Sequence, residues 1–166
     1  MKVTEHVSYR EVIKSNTAIR RGIENIPSGE QMERIKLLCE KVFEPLREHV
    51  GGPIAINSLF RSVELNRAIG GSSSSQHCAM NGAAMDIDDT LGYMSNADMF
   101  NFIKDNLDFD QLIWEYGDDD NPDWVHASYK ERENRNQVLK CKRVKGKTVY
   151  SLFLSLIHIS EPTRPY

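Results

Sequence analysis

A catalytic zinc ion asks a chain for three ligands drawn from histidine, aspartate, glutamate or cysteine, with a fourth position left open. Histidine is scarce in this sequence: His6, His49, His77, His126 and His158 are all there is. His158 falls in a terminal stretch set aside below. His6 stands near the chain start. His49 follows an amphipathic helix among charged residues, where a solvated helix-end histidine suits the helix dipole. His77 and His126 remain. His126 lies in DWVHASY, whose alternation gives Trp124, His126 and Ser128 one strand face. Asp86 lies in AAMDID, where Asp86 and Asp88 share a face opposite Met85 and Ile87. A carboxylate inside an apolar strand is costly to bury unless it is paired or metal-bound. Two strands and the loop that carries His77 can thus bring His77, Asp86 and His126 to one point. The same residues also suit a plainer arrangement, a strand histidine bonded to a backbone carbonyl and an aspartate that ends its strand.

A zinc hydrolase further needs a base to accept a proton from water and a cation to steady the oxyanion. Asp123, three residues before His126, is a candidate base. Arg61, in NSLFRS, is a candidate cation at the start of the helix leading into the loop. Each has a plainer role as a solvated turn aspartate or a surface arginine. The three cysteines, Cys39, Cys78 and Cys141, show no CxxC spacing, which argues against a disulfide framework and a cysteine-based zinc cluster. Cys39 falls on the apolar stripe of a helix and reads as core.

The elements that must position these groups are legible from capping and periodicity. Short helical signals at 9–14 and 17–23 come first. Ser28 with Gln31 forms a capping box for a helix whose apolar positions run from Ile35 to Leu46, with Pro45 expected to kink or fray its end. A short strand at 54–57 follows, then a helix capped by Ser62 and stopped by Gly70-Gly71, then the serine run and a buried strand at 83–87. Ser95 with Asp98 caps a third helix. Strand-like runs occupy 111–115, 124–129, 137–143 and 147–153, the last two joined by the hairpin signal at 144–147. Helices first and strands afterwards predict an α+β domain, with helices packed on a small antiparallel sheet.

The chain has 166 residues, 40% hydrophobic and 27% charged, with a net charge of −3, so nothing in its balance points to nucleic acid or a membrane surface. No apolar run reaches the length of a spanning helix, and the N-terminus lacks the apolar core of a secretory signal. The chain is expected to be made in the cytoplasm. The final stretch, SLIHISEPTRPY, fits neither the preceding hairpin nor any motif and resembles translated adapter sequence. The expected organisation is therefore one domain over 1–154 and a non-native tail over 155–166.

SLFRSVELNRAIGG, SSQH followed by GAAMDID, and DWVH together resemble the M15 zinc peptidases, which include D-Ala-D-Ala carboxypeptidases, dipeptidases and phage endolysins. The resemblance is to the small carboxypeptidase C-terminal-domain type, whose fold is Hedgehog-like. It implies that Zn2+ is held by His77, Asp86 and His126, that Asp123 is the general base, and that Arg61 stabilises the oxyanion. It also implies substrate contacts from Ser75, Arg61 and Trp124, with Tyr129 a further candidate for the cleft. Four residues, Cys78 to Asn81, separate His77 from Gly82 where the family interval is two, and Leu59 stands where the family commonly has glycine. Loop insertions cost little closure entropy, so the expectation is a reshaped pocket. The implied activity is hydrolysis of an amide bond in peptidoglycan stem peptides. A monomer acting on the cell wall is expected, and the missing secretory signal and compact size point to release by a holin-type helper. The alternative from another class is a non-catalytic cell-wall-binding or phage structural module on the same fold.

Overall fold

The computed structural model describes residues 1–153, so the tail expected over 155–166 lies outside the described residues. The chain opens with a small hairpin, β1 (Lys2–Thr4) and β2 (Val7–Ser8), which the sequence did not signal. Helix α1 (Tyr9–Ile13) starts in a capping box between Ser8 and Glu11, and α2 (Asn16–Arg21) ends at Gly22 in a left-handed turn. Helix α3 (Gly29–Leu38) begins at the Ser28–Gln31 box, with both reciprocal hydrogen bonds formed.

The effect of Pro45 differs from the expected kink or fray. The helix passes through a π-helical segment at Cys39–Phe43, where the Glu44 N–H reaches Cys39 O, and continues as α4 (Glu44–Val50). Proline has no N–H to give its i−4 carbonyl and clashes with it. One wider turn just before Pro45 relieves that conflict while keeping the apolar stripe in register, so Cys39, Val42, Phe43 and Leu46 are all buried.

The remaining elements are β3 (Ala55–Ser58), α5 (Val63–Ala68), a 3-10 turn at Gln76–Cys78, β4 (Ala83–Asp88), α6 (Asn96–Asn106), β5 (Gln111–Glu115), β6 (Trp124–Tyr129), β7 (Gln137–Val144) and β8 (Lys147–Leu152). The strands β3 to β8 form a six-stranded sheet in the order β3-β4-β6-β5-β7-β8. The α+β class holds, with one difference from a wholly antiparallel sheet: β7 runs parallel to β5. The chain leaves β6, crosses the start of β5 and enters β7 on the far side. Asp110 and Phe109 hold this crossing, because Asn136 N donates to Phe109 O and Gln137 N to Asp110 O.

Strand alternation divides the molecule into a packed face and an open one. Met85 and Ile87 of β4, Leu112 and Trp114 of β5, and Val125 and Ala127 of β6 join Ile35, Leu38, Phe100 and Ile103 from the helices in one core. Asp86, Ile113, Glu115, Trp124 and His126 lie on the other face and line a cleft. Truncating a fully buried core side chain such as Phe100 would cost about 3–5 kcal/mol. Among the described residues no helix is long and apolar enough to cross a membrane.

Candidate functional site

Adjacent strands supply two of the candidate ligands. Asp86 on β4 and His126 on β6 are direct cross-strand partners, which forces their side chains to the same face. His126 Nδ1 stands 3.0 Å from Asp86 Oδ1. His77 arrives from above on the 3-10 turn, where the Ser75 hydroxyl accepts from the His77 N–H at 3.2 Å. Its ring is 2% exposed and its Nε2 lies 3.3 Å from Asp86 Oδ2. One ligand atom from each of His77, Asp86 and His126 lies within 4.8 Å of the others.

The donor set fits a cation. His77 Nδ1 is 3.0 Å from Leu59 O, and a carbonyl can only accept, so Nδ1 carries the proton and Nε2 presents its lone pair. That lone pair faces a carboxylate oxygen, and two acceptors at 3.3 Å repel unless a positive charge lies between them. A backbone carbonyl that fixes the tautomer of a ligating histidine is a recurrent feature of metal sites. Burial pulls the His77 pKa below its ordinary value, with Asp86 opposing, so the neutral ring suited to a metal is favoured. Burial alone would raise the Asp86 carboxyl; protonated imidazoles at His77 and His126 would more than reverse this and hold it well below the carboxylate range, the part a cation takes over when His77 is neutral.

Local geometry explains how the loop after His77 accommodates its extra length. Gln31 on α3 donates to Cys78 O, and Arg34 donates to Ala79 O at 2.9 Å. Ala79 adopts a left-handed conformation, and Met80 turns out to solvent. Gly82 then re-enters the sheet at φ +77°, where a Cβ would come within 2.5 Å of Tyr129 O. The excess chain is thus tied to a helix beside the strand, and His77 keeps its place with the other two candidate ligands.

Arg61 follows β3 on a segment pinned by Asn25, which donates to Phe60 O and accepts from Ser62 N. The Arg61 N–H donates to His77 O, and Nη2 lies 3.4 Å from Ser75 Oγ, while Nε is buried without a hydrogen-bond partner among the described residues. Burial lowers its pKa, with Asp86 opposing. Arg61, Ser75 and Trp124 all line the cleft, whose volume is about 990 Å³.

Two of the expected residues are not brought there. Asp123 is exposed and does not line the cleft. Its N–H donates to Glu115 O, and its carbonyl accepts from Asn96. An i, i+3 interval places two side chains together on a helix but on opposite faces of extended chain, and β6 is extended from Trp124, with Asp123 in the bend just before it. Tyr129, also an odd number of residues from His126, points away for the same reason and packs against the core.

The residue that sequence reasoning missed is Glu115. It ends β5 opposite Trp124, on the cleft face, and is 7% exposed. Burial pushes its carboxyl above the ordinary glutamate range, with a hydrogen bond from the Cys141 thiol opposing. His126 and Asp86 are close enough to act on it electrostatically. The signal was present in QLIWE, where alternation puts Gln111, Ile113 and Glu115 on one face and leaves an acid at the end of a buried strand.

A family model described as Peptidase M15 matches residues 5–128. No curated protein matches the chain.

Proposed function

We propose, from the premise that the chain belongs to the peptidase M15 family, that it is a zinc-dependent peptidase cleaving an amide bond in peptidoglycan stem peptides. The carrying observation is the convergence of His77 Nε2, Asp86 and His126 Nδ1 in the wall of an open cleft beside a half-buried arginine. His77, Asp86 and His126 would hold the zinc ion. When bound, zinc supplies a Lewis acid that acidifies water and polarises a carbonyl.

The chain's own groups do the rest. Glu115, rather than Asp123, takes the proton from the attacking water and returns it to the leaving amine. Its burial favours this, because a carboxyl raised towards neutrality both accepts and releases a proton more readily near neutral pH. Arg61 places a guanidinium where negative charge develops on the scissile carbonyl oxygen. Ser75 orients Arg61 and caps the turn bearing His77. Trp124 offers a flat wall for the substrate backbone. The enzyme acts as a monomer on cell-wall peptide, either as a D-Ala-D-Ala carboxypeptidase or as an endolysin-type endopeptidase, after release by a holin-type helper.

Digestion of defined peptidoglycan by the zinc-loaded protein, with mass analysis of the products, tests this. Loss of a terminal residue identifies a carboxypeptidase, and separated stem fragments identify an endopeptidase. Binding of peptidoglycan with no new product would replace the enzyme by a non-catalytic wall-binding module.

A further inference from the structure

The matched family region stops at residue 128, yet the cleft does not. Its far wall is built by β7 and β8, joined at a tight turn in which Lys145 and Gly146 both have positive φ. Cross-strand pairing of Arg143 with Thr148, and of Cys141 with Tyr150, directs Arg143, Thr148 and Tyr150 to the cleft face. Arg135 and Lys130 also line the cleft, but both are occupied by Asp110. Arg143 is paired with no carboxylate among the described residues; its guanidinium instead lies 5.7 Å from the centre of the Tyr116 ring.

Tyr116 is held in a backbone conformation that a bulky residue rarely adopts, at φ +55°. Such a conformation persists only where its surroundings enforce it. The enforcement is visible. Gly117 follows at φ +71°, where a Cβ would come within 2.2 Å of Asn121 O, and the Tyr116 N–H donates to Cys141 O. The turn lays the ring 5.3 Å from Trp124 and brings its hydroxyl 2.8 Å from Thr148 Oγ1. Tyr116 therefore connects the Trp124 side of the site to the hairpin and serves as a brace for Arg143.

We propose that this wall is a carboxylate subsite, in which Arg143, braced on Tyr116 and flanked by Tyr150, takes a free carboxylate of the substrate peptide. A guanidinium held over a ring face as a cation–π contact keeps N–H groups available for the two parallel hydrogen bonds that a carboxylate accepts. Stem peptides carry such groups, and a cleft of about 990 Å³ has room for several residues between the ligand corner and the hairpin. The subsite rests on the peptidase reading above and places its charge-bearing group, Arg143, outside the matched family region, braced by Tyr116 from within it.

The test compares wild type with Arg143→Gln on the pentapeptide L-Ala-γ-D-Glu-L-Lys-D-Ala-D-Ala and on versions with each carboxylate amidated in turn. Wild type should lose about five- to tenfold in kcat/KM on amidation of one particular carboxylate, mostly through KM, as for one charge-assisted contact. Arg143→Gln should show that loss on the free peptide and no further loss on the amidated one. Arg143→Lys, which keeps the charge but not the fork, should fall between them. Tyr116→Leu should reproduce the selectivity loss if it braces Arg143, whereas a merely structural role would lower turnover of every peptide alike. Equal amidation penalties in wild type and Arg143→Gln overturn the subsite while leaving the peptidase reading intact. Failure of wild type to cleave any of the peptides overturns both.

Discussion

Asp110 and Asp86 are both withdrawn from water beside the same sheet, and their surroundings answer that cost differently. Asp110, fully buried at the start of β5, receives Gln76 Nε2, the Arg135 main-chain N–H, Nε and Nη2, with Lys130 Nζ 3.7 Å away. Its oxygens meet donors with permanent charge or fixed geometry, and its carboxyl falls to about 2, burial being outweighed by Arg135. Asp86 meets two imidazoles, one of which is turned by Leu59 O so that a lone pair faces the carboxylate. A carboxylate saturated by donors organises the chain around it. One that shares its space with other acceptors is suited to receive a cation.

That contrast can be broken by mutation. The largest effect is expected from His126→Ala or His77→Ala: loss of bound zinc, loss of the zinc-dependent rise in Tm, and a fall in kcat/KM of about a thousandfold or more. Retention of zinc at wild-type stoichiometry would refute the ligand assignment. Next comes the base. Glu115→Gln should keep zinc and lower kcat by about 10²–10⁴, while Asp123→Asn should change it by less than about threefold. With burial raising Glu115, the acid limb of kcat/KM should lie above the ordinary glutamate value of 4.5, activity falling as pH falls through it. The reverse ranking of the two variants would restore Asp123 as the base.

Asp110→Asn should act on stability, costing about 3 kcal/mol, the scale for a broken buried ion pair. The sign follows from a depressed carboxyl: its contribution is present above the ordinary value of 3.8 and is lost as pH falls towards about 2. In wild type the Tm should therefore drop over that window, and in Asp110→Asn the drop should be shallower. Equal acid sensitivity in the two proteins would show that Arg135 and Gln76 do not hold this carboxylate in solution.

The same contrast separates what the sequence made legible from what it did not. Asp86 and His126 could be found because their strands alternate, and alternation alone fixes which face each side chain takes. Capping at Ser28, Ser62 and Ser95 likewise marked the helix starts, since those signals are local. Asp110 gave no signal, because Arg135 lies 25 residues away and reaches it only through a crossing connection that also makes β7 parallel to β5. Asp123 was favoured by an i, i+3 interval that carries helical meaning, whereas Glu115 needed the pairing of β5 with β6, which no local pattern specifies. Pro45 marks a conflict in the helix that the sequence shows, but a π turn that preserves the apolar stripe depends on the core it packs against.

The most direct test of the central claim is the zinc K-edge X-ray absorption spectrum of the loaded protein. The account predicts a first shell of nitrogen and oxygen at about 2.0–2.2 Å, with outer-shell scattering from two imidazoles. One imidazole contribution should disappear in any residual metal bound by His126→Ala. A sulfur shell near about 2.3 Å, pointing to Cys78 or Cys141, or an imidazole count unaffected by His126→Ala, would contradict it.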